Sequence, residues 1–310
     1  MTSKRELKRR EVNREANKQI SPPQDKEAKP VDLAPVLSDS LSFETAHVFD
    51  VYEKIAEHFS ATRYKPWPKV ASFIASLAPH ALVLDAGCGN GKNLLRPGMI
   101  GSDRAHAFCK IASDVTKRDC YVSDISRDTG LAVREGVFDA AISIAVLHHI
   151  PSQSGRQAAL MQLARLIKRQ DGDEEGGKVL IYVWAMEQEE GSIGARKFDS
   201  QDVFVPWHYQ VRYDEKKHSA RSRESGSELE AGNEFGKQTG HLDAIQSAES
   251  SASSHQPMQA MQRYYHVFTR TEFAELLASV SDYFTVDDLY FDSNNWATVL
   301  KRTSKKVDSS

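Results

Sequence analysis

The sequence predicts an α/β fold in which helices cover both faces of a mostly parallel β-sheet that closes with an antiparallel hairpin. Three observations support this prediction. Apolar segments of strand length alternate with helical patterns between residues 82 and 184. A glycine-rich turn follows the first of these segments, and two strand-like segments follow each other at 284–291 and 296–300. Alternation of strands with helices is typical of a parallel sheet, because parallel neighbours need a crossover connection.

Residues 1–45 are predicted to form a disordered tail, because they are polar, charged and interrupted by four prolines. Such a segment has too few apolar groups to offset the entropy lost on ordering. From residue 46 apolar residues recur at helical spacing as far as Phe59, which predicts a first helix. A second helix is predicted to begin at Pro66-Trp67-Pro68.

The predicted strands are at 82–84, 99–102, 120–122, 138–145 and 178–184, and the helices between them are at 105–113 and 157–168. Between about 214 and 260 the sequence becomes rich in Ser, Glu, Gly and Gln, which predicts a disordered insertion. Order is expected to return at Met261, where the apolar segment 264–268 precedes a helix capped by Thr271. The main domain is thus predicted at 46–302, and residues 303–310 are predicted to form a tail.

Composition restricts the function. The 310 residues carry a formal net charge of −3, so any nucleic-acid partner would have to bind a local basic patch. The three cysteines fit neither a disulfide framework nor a zinc site, and no metal site is predicted. The apolar run 140–147 is too short to cross a bilayer, and the N-terminus lacks the apolar segment of a secretory signal. We therefore expect a cytoplasmic protein, with the nucleus as a second location.

The segment Asp85-Ala86-Gly87-Cys88-Gly89-Asn90-Gly91 predicts a cofactor loop. Its glycines leave few side chains where the chain turns, so a ligand can lie against the peptide groups at a helix N-terminus. The spacing is G-x-G-x-G, which differs from the G-x-G-x-x-G of dinucleotide-binding enzymes. The negative charge of Asp85 suits a ligand with a positive amino group, and S-adenosylmethionine is such a ligand.

Two further acids occur at predicted strand ends. Asp103 follows the loop at about the distance expected for a carboxylate that binds ribose hydroxyls, and Arg104 follows it. Asp124 ends the next strand, where it could accept a hydrogen bond from an adenine amine while Ile125 covers the ring. Ala145, just past the fourth strand, would bring its backbone near the methionine end of the cofactor.

The closing hairpin distinguishes two kinds of Rossmann-like fold. Two antiparallel strands after five βα units predict the class I S-adenosylmethionine-dependent methyltransferase fold, with seven strands, and not a dehydrogenase. His148-His149 follow the fourth strand and are either loop histidines or residues of the methyl-transfer site. The segment 63–68 is either a solvated helix start or a lid that presents cations to an anionic substrate and a ring to a base.

The segment His58-Phe59-Ser60-Ala61-Thr62-Arg63-Tyr64-Lys65-Pro66-Trp67-Pro68 resembles the entry segment of the eukaryotic tRNA wobble-uridine carboxyl methyltransferases. The similarity to this family continues in the glycine loop through Lys92 and in the segments 100–104, 138–139, 142–149, 181–188, 201–207 and 263–266. The resemblance covers residues 46–212 and 261–302. The entry segment and the Asp-Val-Phe-Val-Pro-Trp motif at 202–207 are its most specific parts.

The resemblance implies a catalytic subunit that methylates the carboxylate of 5-carboxymethyluridine in the anticodon loop of tRNA. It places Arg63, His149, Glu187, Trp207 and Arg263 around the substrate. On this hypothesis an arginine steers the carboxylate or a nearby phosphate, His149 shapes the methyl-transfer pocket, and Trp207 flanks a flipped base. The family also implies a small zinc-containing activator subunit, which we expect on the edge strand at 120–122.

Two alternatives remain open on the sequence alone. One is a methyltransferase that acts on a small carboxylic acid or a quinone. The other is a methyltransferase-like scaffold that has lost catalysis, although Asp85, Gly87, Gly89, Asp103 and Asp124 are all present.

Overall fold

The computed structural model describes residues 28–33, 39–63, 65–127, 133–192, 195–207 and 261–307. The predicted insertion at 214–260 lies outside the described residues, as do residues 1–27 of the predicted tail. Two pieces of that tail are described and carry regular structure. Strand β1, Lys29–Pro30, joins a small sheet, and helix α1, Ser40–Glu44, begins before the predicted domain boundary at residue 46.

Helix α1 begins early because Asp39 caps it. The Asp39 carboxylate accepts a hydrogen bond from the backbone N–H of Ser42 at 3.1 Å, which satisfies one of the free donors of a helix N-terminus. The chain continues without a break through a π-helical turn, Thr45–Phe49, into helix α2, Asp50–Thr62. Helix α3, Pro68–Ser76, starts with proline at its first position, as the sequence predicts.

The remaining elements follow in the predicted order, except that the sequence did not predict the strand at 202–207. They are β2 Val83–Ala86, β3 Met99–Asp103, α4 His106–Thr116, β4 Cys120–Val122, β5 Ala140–Ile144, α5 Gln153–Leu166, β6 Lys178–Trp184, β7 Asp202–Trp207, β8 Met261–His266, α6 Arg270–Ala278, β9 Phe284–Asp292 and β10 Asn295–Arg302. The cap of α6 is Thr269, whose side chain accepts from the N–H of Glu272, and not Thr271 as predicted.

Seven strands form the main sheet in the order β4-β3-β2-β5-β6-β10-β9. Strand β10 is antiparallel to both β6 and β9, and the other neighbouring pairs are parallel. The class I methyltransferase fold predicted from the sequence is therefore confirmed. β4 lies at one edge, and the strand order reverses at β2, where open α/β sheets bind their ligands.

The connection from β2 to β3 differs from the prediction. Residues 87–98 form a series of turns with no helix, so the glycine loop does not lie at a helix N-terminus. The connection is short, and Gly87, Gly89, Gly91 and Gly98 all have positive φ, which a helix does not allow. Val70 and Ile74 of α3 pack with Leu94 over this face of the sheet.

A second sheet, β1-β7-β8, is small and antiparallel. Its register sets Val205 opposite Arg263 and Trp207 opposite Met261, so two distant parts of the sequence meet beside the main sheet. The larger apolar core packs α5 and α6 against the other face of the main sheet, through residues such as Leu160 and Phe273. None of the helices within the described ranges has the length and hydropathy needed to cross a membrane.

Candidate functional site

A cavity of about 1350 Å³, partly open to solvent, lies over the carboxyl ends of β2, β3 and β5. Its floor is the glycine loop, and its wall on one side is the chain after β5. Residues of α1, the π-helical turn and α2 cover it from above. It therefore occupies the switch point of the sheet, which is the position the sequence predicts for a cofactor.

Asp85 is the third residue of β2 and is fully buried beside the glycine loop, just outside the residues that line the cavity. Neither of its carboxylate oxygens has a hydrogen-bond partner among the described residues. Burial, with Asp103 nearby, raises the pKa of Asp85 to about 8. A buried acceptor without a partner is costly, and it is explained most simply by a ligand that supplies a donor or a positive charge.

The glycine loop lies close to the chain that follows β5. A Cβ added at Gly87 would meet Val146 Cγ2 at 2.2 Å, which is a steric clash. Gly87 also has a φ of 84°, a backbone conformation that other residues rarely adopt, so both the space and the backbone exclude a side chain there. Ala145, next to Val146, adopts the left-handed region with a φ of 64°, which is unusual for alanine. Backbone strain of this kind is held by the surrounding structure and is common at functional sites. Both Gly87 and Ala145 line the cavity, as predicted.

Asp103 supports the loop as well as facing the cavity. Its two carboxylate oxygens accept hydrogen bonds from the backbone N–H groups of Gly89 and Ala105, at 2.8 and 2.9 Å. Burial raises the pKa of Asp103 to about 6, which leaves it ionised at neutral pH. Each oxygen retains a second lone pair, so these bonds are compatible with the predicted role in binding ribose hydroxyls.

Asp124 is held by protein donors. Its Oδ1 accepts from the backbone N–H and the hydroxyl of Ser126, and its Oδ2 accepts from Arg127 Nε at 3.2 Å. Ile125 and Arg104 line the same end of the cavity, and the Arg104 guanidinium lies 4.8 Å from the ring centre of Phe49. All the predicted cofactor residues except the buried Asp85 thus line the cavity, and both Asp124 oxygens already accept hydrogen bonds from its own loop.

Glu44 also faces this end of the cavity and is not among the residues predicted from the sequence, because it falls in the predicted tail. It is 3% exposed, and it accepts a hydrogen bond from Arg127 NH2 at 3.1 Å. Burial raises the pKa of Glu44 to about 7, although Arg127 opposes the shift. Since Arg127 also holds Asp124, the Glu44–Arg127 pair ties α1 to the loop that follows β4. The helix cap at Asp39 was the one signal in the sequence that could have extended the domain this far.

Asn90 connects the two ends of the cavity. Its amide donates to the backbone carbonyl of Arg63 at 2.8 Å, and its carbonyl accepts from the N–H of Lys92 at 3.3 Å. The predicted cofactor residue Asn90 therefore holds the backbone of the entry segment at Arg63. Tyr64 of that segment lies outside the described residues.

Two arginines face the far end of the cavity and share one aromatic ring. The guanidinium carbons of Arg63 and Arg263 each lie 4.7 Å from the centre of the Trp207 ring. Arg263 is buried and its Nε has no partner, whereas Arg63 is at the open mouth. No carboxylate within the described ranges forms an ion pair with either guanidinium. Buried cations normally have an anionic partner, so this end of the cavity suits an anionic ligand.

Trp207 does not have the predicted place beside a base. It is 5% exposed, it stacks on Phe59 at 5.8 Å, and its Nε1 donates to His58 Nδ1 at 3.1 Å. The two guanidiniums and these contacts occupy the ring, because β7 presents it towards α2 and not into the cavity. Trp207 is thus a platform that positions Arg63 and Arg263.

His149 lies in a hydrogen-bonded network with Tyr52, Arg263 and Tyr265. Arg263 NH1 donates to the Tyr265 hydroxyl at 2.8 Å, and the Tyr52 hydroxyl lies 3.0 Å from both Tyr265 Oη and His149 Nε2. Burial, together with Arg263, lowers the pKa of His149 to about 3, so the imidazole is neutral. Tyr52 and Tyr265 were not selected from the sequence, since a tyrosine at core spacing gives no separate signal of a site.

Glu187 is not brought into the cavity. It is exposed beside the closing hairpin, where it accepts a hydrogen bond from Trp296 Nε1 at 2.9 Å and one from the N–H of Arg270 at 3.5 Å. β6 ends at Trp184, and the chain beyond it turns towards α6 and β10, which carries Glu187 away from the other predicted substrate residues.

These residues fit S-adenosylmethionine. The orphaned Asp85 carboxylate suits its ammonium group, Asp103 suits its ribose, and the glycine loop leaves space against the backbone. Clusters of three or more metal-ligating side chains are absent from the described ranges.

Comparisons with known proteins agree with this geometry. A family model described as a methyltransferase domain matches residues 56–231. The chain is 34% identical over 269 residues to the tRNA (carboxymethyluridine(34)-5-O)-methyltransferase of Schizosaccharomyces pombe, and the match covers 84% of this chain and 99% of that protein.

The chain is also 32% identical over 297 residues to the enzyme of the same name from Xenopus tropicalis. That match covers 84% of this chain but only 41% of the longer protein from Xenopus. Among solved structures, the 1,6-didemethyltoxoflavin-N1-methyltransferase of Burkholderia thailandensis, with bound S-adenosylhomocysteine, has a TM-score of 0.49 and 17% identity. The structural match covers 89% of this chain and 95% of the Burkholderia protein.

Proposed function

Because the chain belongs to the family of tRNA (carboxymethyluridine) methyltransferases, we propose that it methylates the carboxylate of 5-carboxymethyluridine at the wobble position of tRNA. The product is the methyl ester, and the cofactor is S-adenosylmethionine. The observation that supports this reaction best is the opposite charge at the two ends of one cavity. Asp103 is an ionised acid at one end, and Arg263, which has no carboxylate partner among the described residues, is a cation at the other.

The reaction needs little more than approach and alignment. When bound, S-adenosylmethionine supplies an electrophilic methyl group on a sulfonium. A carboxylate is already a nucleophile at neutral pH, so no side chain has to remove a proton. This agrees with the neutral state of His149, whose nitrogens are both hydrogen-bonded within the protein. The residues of the cavity then have to hold the two reactants close together and in line.

Charge also supports an anionic substrate. Arg63 and Arg263 share the Trp207 platform and give this end of the cavity a positive charge, although the whole chain carries a net charge of −3. The uridine carboxylate and the adjacent phosphates are both anions, and an arginine recognises either through charge-assisted hydrogen bonds. An anticodon loop is single-stranded, so its bases can enter a cavity.

We also propose that a small zinc-containing activator subunit docks on β4. This strand is at the edge of the main sheet and pairs only with β3 within the described residues. Its last residue, Val122, is 46% exposed. A partner strand could therefore continue the sheet and cover an apolar side chain, and it could add the positive charge that this chain lacks.

The test is methyl transfer from labelled S-adenosylmethionine to tRNA that carries 5-carboxymethyluridine, with and without the activator. Unmodified tRNA and a small carboxylic acid serve as alternative substrates. We expect label in the carboxymethyl tRNA alone, and its release by mild alkali, because an ester hydrolyses whereas a methylated nitrogen or carbon does not. Transfer to the small acid alone, or cofactor binding without transfer to any substrate, would contradict the proposal.

A further inference from the structure

The two consecutive histidines after β5 differ in how many of their ring nitrogens the protein uses. His149 Nδ1 lies 2.9 Å from the backbone carbonyl of Tyr264, so Nδ1 carries the proton and donates it. Its Nε2 then accepts from the hydroxyl of Tyr52. Both nitrogens of His149 are therefore occupied, and a neutral His149 has no donor or acceptor left for a substrate.

In His148, by contrast, the protein uses only one of the two ring nitrogens. Its Nδ1 accepts the backbone N–H of Trp184 at 3.1 Å, and a backbone N–H can only donate. The proton of the neutral His148 ring must therefore be on Nε2. No described residue bonds to that nitrogen, although His148 is 1% exposed and lines the cavity. A donor beside the cavity that no described residue uses is available to a ligand.

The His148 ring is also held firmly in one orientation. It stacks on Tyr265 at 5.0 Å, and Tyr265 stacks in turn on Trp184 at 4.3 Å. The backbone bond at Nδ1 fixes the ring about its own axis. Burial, with His149 and Arg263 nearby, holds the pKa of His148 well below its usual range, so this donor stays neutral. A rigid neutral donor of this kind needs no reorganisation when the substrate enters.

We infer that His148 Nε2–H donates a hydrogen bond to the substrate carboxylate, at the oxygen that does not receive the methyl group. This inference rests on the proposed function. One oxygen must be turned towards the methyl group, and a bond to the other oxygen sets that orientation. A neutral donor does this without the full ion pair of a guanidinium, which would stabilise the carboxylate charge that the reaction consumes. Arg63 and Arg263 then attract the anion, and His149 acts as a positioning residue through Tyr52.

A pair of isosteric variants tests the inference. In His148→Asn the amide oxygen takes the place of Nδ1, so the acceptor for Trp184 is kept and the Nε2 donor is lost. In His148→Gln the amide nitrogen lies near the position of Nε2, so a donor is kept. We expect kcat/KM for carboxymethyluridine tRNA to fall about 30-fold in His148→Asn, as for a lost hydrogen bond to a charged group, and about threefold or less in His148→Gln.

A second readout separates substrate binding from a structural effect. The affinities for tRNA with and without the carboxymethyl group are measured in the presence of S-adenosylhomocysteine. We expect His148→Asn to reduce the ratio of these affinities, because only the carboxylate loses a partner, while a distorted site would weaken both tRNAs equally. An unchanged ratio, or equal losses in the two variants, would overturn the inference. If the wild-type protein does not methylate this tRNA at all, the proposed function fails instead.

Discussion

The Tyr52 hydroxyl donates a hydrogen bond to His149 Nε2 across 3.0 Å, although the two residues are 97 positions apart. His149 can accept this bond because its Nδ1–H is bound to the carbonyl of Tyr264. The Tyr52 oxygen also lies 3.4 Å from Arg263 NH1. One hydroxyl therefore connects the helices above the cavity with the chain after β5 and with the small sheet.

Replacement of Tyr52 by phenylalanine should lower the rate of methyl transfer without affecting cofactor affinity. The Tyr52→Phe variant leaves His149 Nε2 without a donor and removes one oxygen partner of Arg263. The loss of such a bond costs about 1 kcal/mol, which corresponds to roughly a fivefold to tenfold lower kcat/KM. Steady-state kinetics with tRNA check this, with Tyr290→Phe as the control, since Tyr290 hydrogen-bonds to Tyr182 outside the cavity. Equal rates in both variants would contradict the role of Tyr52.

Asp85→Asn should greatly weaken the binding of S-adenosylmethionine. The pKa of Asp85 is about 8 without a ligand, so the carboxyl group must lose its proton to pair with a cation. Affinity in the wild type should therefore rise with pH up to about 8, by up to tenfold per unit, in proportion to the ionised fraction. In Asp85→Asn we expect an affinity roughly 30-fold lower and a loss of this component of the pH dependence. Calorimetric titrations between pH 6 and 8.5 measure both effects.

The same substitution should stabilise the protein in the absence of cofactor. An Asp whose folded pKa is raised favours the unfolded state at every pH above its unfolded value of 3.8, and the cost increases until the pH reaches about 8. Asn carries no such cost. Thermal unfolding at pH 7.5 should show a higher midpoint for Asp85→Asn than for the wild type, whereas Asp114→Asn on the exposed face of α4 should show no increase. A lower midpoint for Asp85→Asn would mean that a donor already binds Asp85 in the free protein.

Much of this site follows from the sequence, and the part that does not has an identifiable cause. Strand ends and glycine spacing locate Asp85, Asp103 and Ala145, because in a parallel sheet the carboxyl ends of all strands meet at one edge. Glu44 and Tyr52 could not be selected this way. They reach the cavity only because helices α1 and α2 fold back over the sheet, and that packing has no local signature. The roles of His148 and His149 depend on which ring nitrogen meets which backbone group, and that also requires coordinates.

Glu44→Gln should increase the dissociation rate of the cofactor. The Glu44–Arg127 ion pair holds α1 over the end of the cavity where we expect the adenosine, and its loss should let this short helix open more often. A partly buried ion pair contributes on the order of 1 kcal/mol, so we expect roughly a fivefold faster dissociation with little change in the rate of methyl transfer at saturation. Stopped-flow measurements with a fluorescent cofactor analogue check this, with Glu275→Gln on the exposed face of α6 as the control. A dissociation rate equal to that of the control would show that α1 does not retain the cofactor.

His266 should stabilise the fold most at mildly acidic pH. Its two nitrogens lie 2.8 Å from Asp202 and 2.7 Å from Glu272, in a buried network that connects β7, β8 and α6. Burial alone would lower the pKa of His266, but the two carboxylates outweigh it and raise the pKa above 6.5. The stabilisation is therefore complete below pH 6.5 and is lost as the pH rises through the folded value. Asp202 and Glu272 have lowered pKa values, so the stabilisation that they contribute is present above about pH 4.5 and is lost as the pH falls further.

We expect His266→Gln to lower the free energy of unfolding by about 3 kcal/mol at pH 6 and by clearly less at pH 9. Urea unfolding at both pH values measures this, and His106→Gln at an exposed position provides the control. The same loss at both pH values would show that His266 is neutral in the folded protein.

Glu187→Ala should affect stability more than catalysis. The resemblance to the methyltransferase family places Glu187 beside the substrate, but the structure places it at the hairpin, where it accepts from Trp296 Nε1 and the N–H of Arg270. Both bonds are exposed, so their loss should lower the melting midpoint by a few degrees at most, for a change of about 1 kcal/mol or less.

We expect kcat/KM for tRNA to remain within about threefold of wild type in Glu187→Ala. Arg263→Lys, which loses the planar fork on the Trp207 platform, should instead lower kcat/KM by about tenfold or more. If Glu187→Ala abolishes methyl transfer while its melting midpoint is unchanged, the segment after β6 must close over the substrate when tRNA binds.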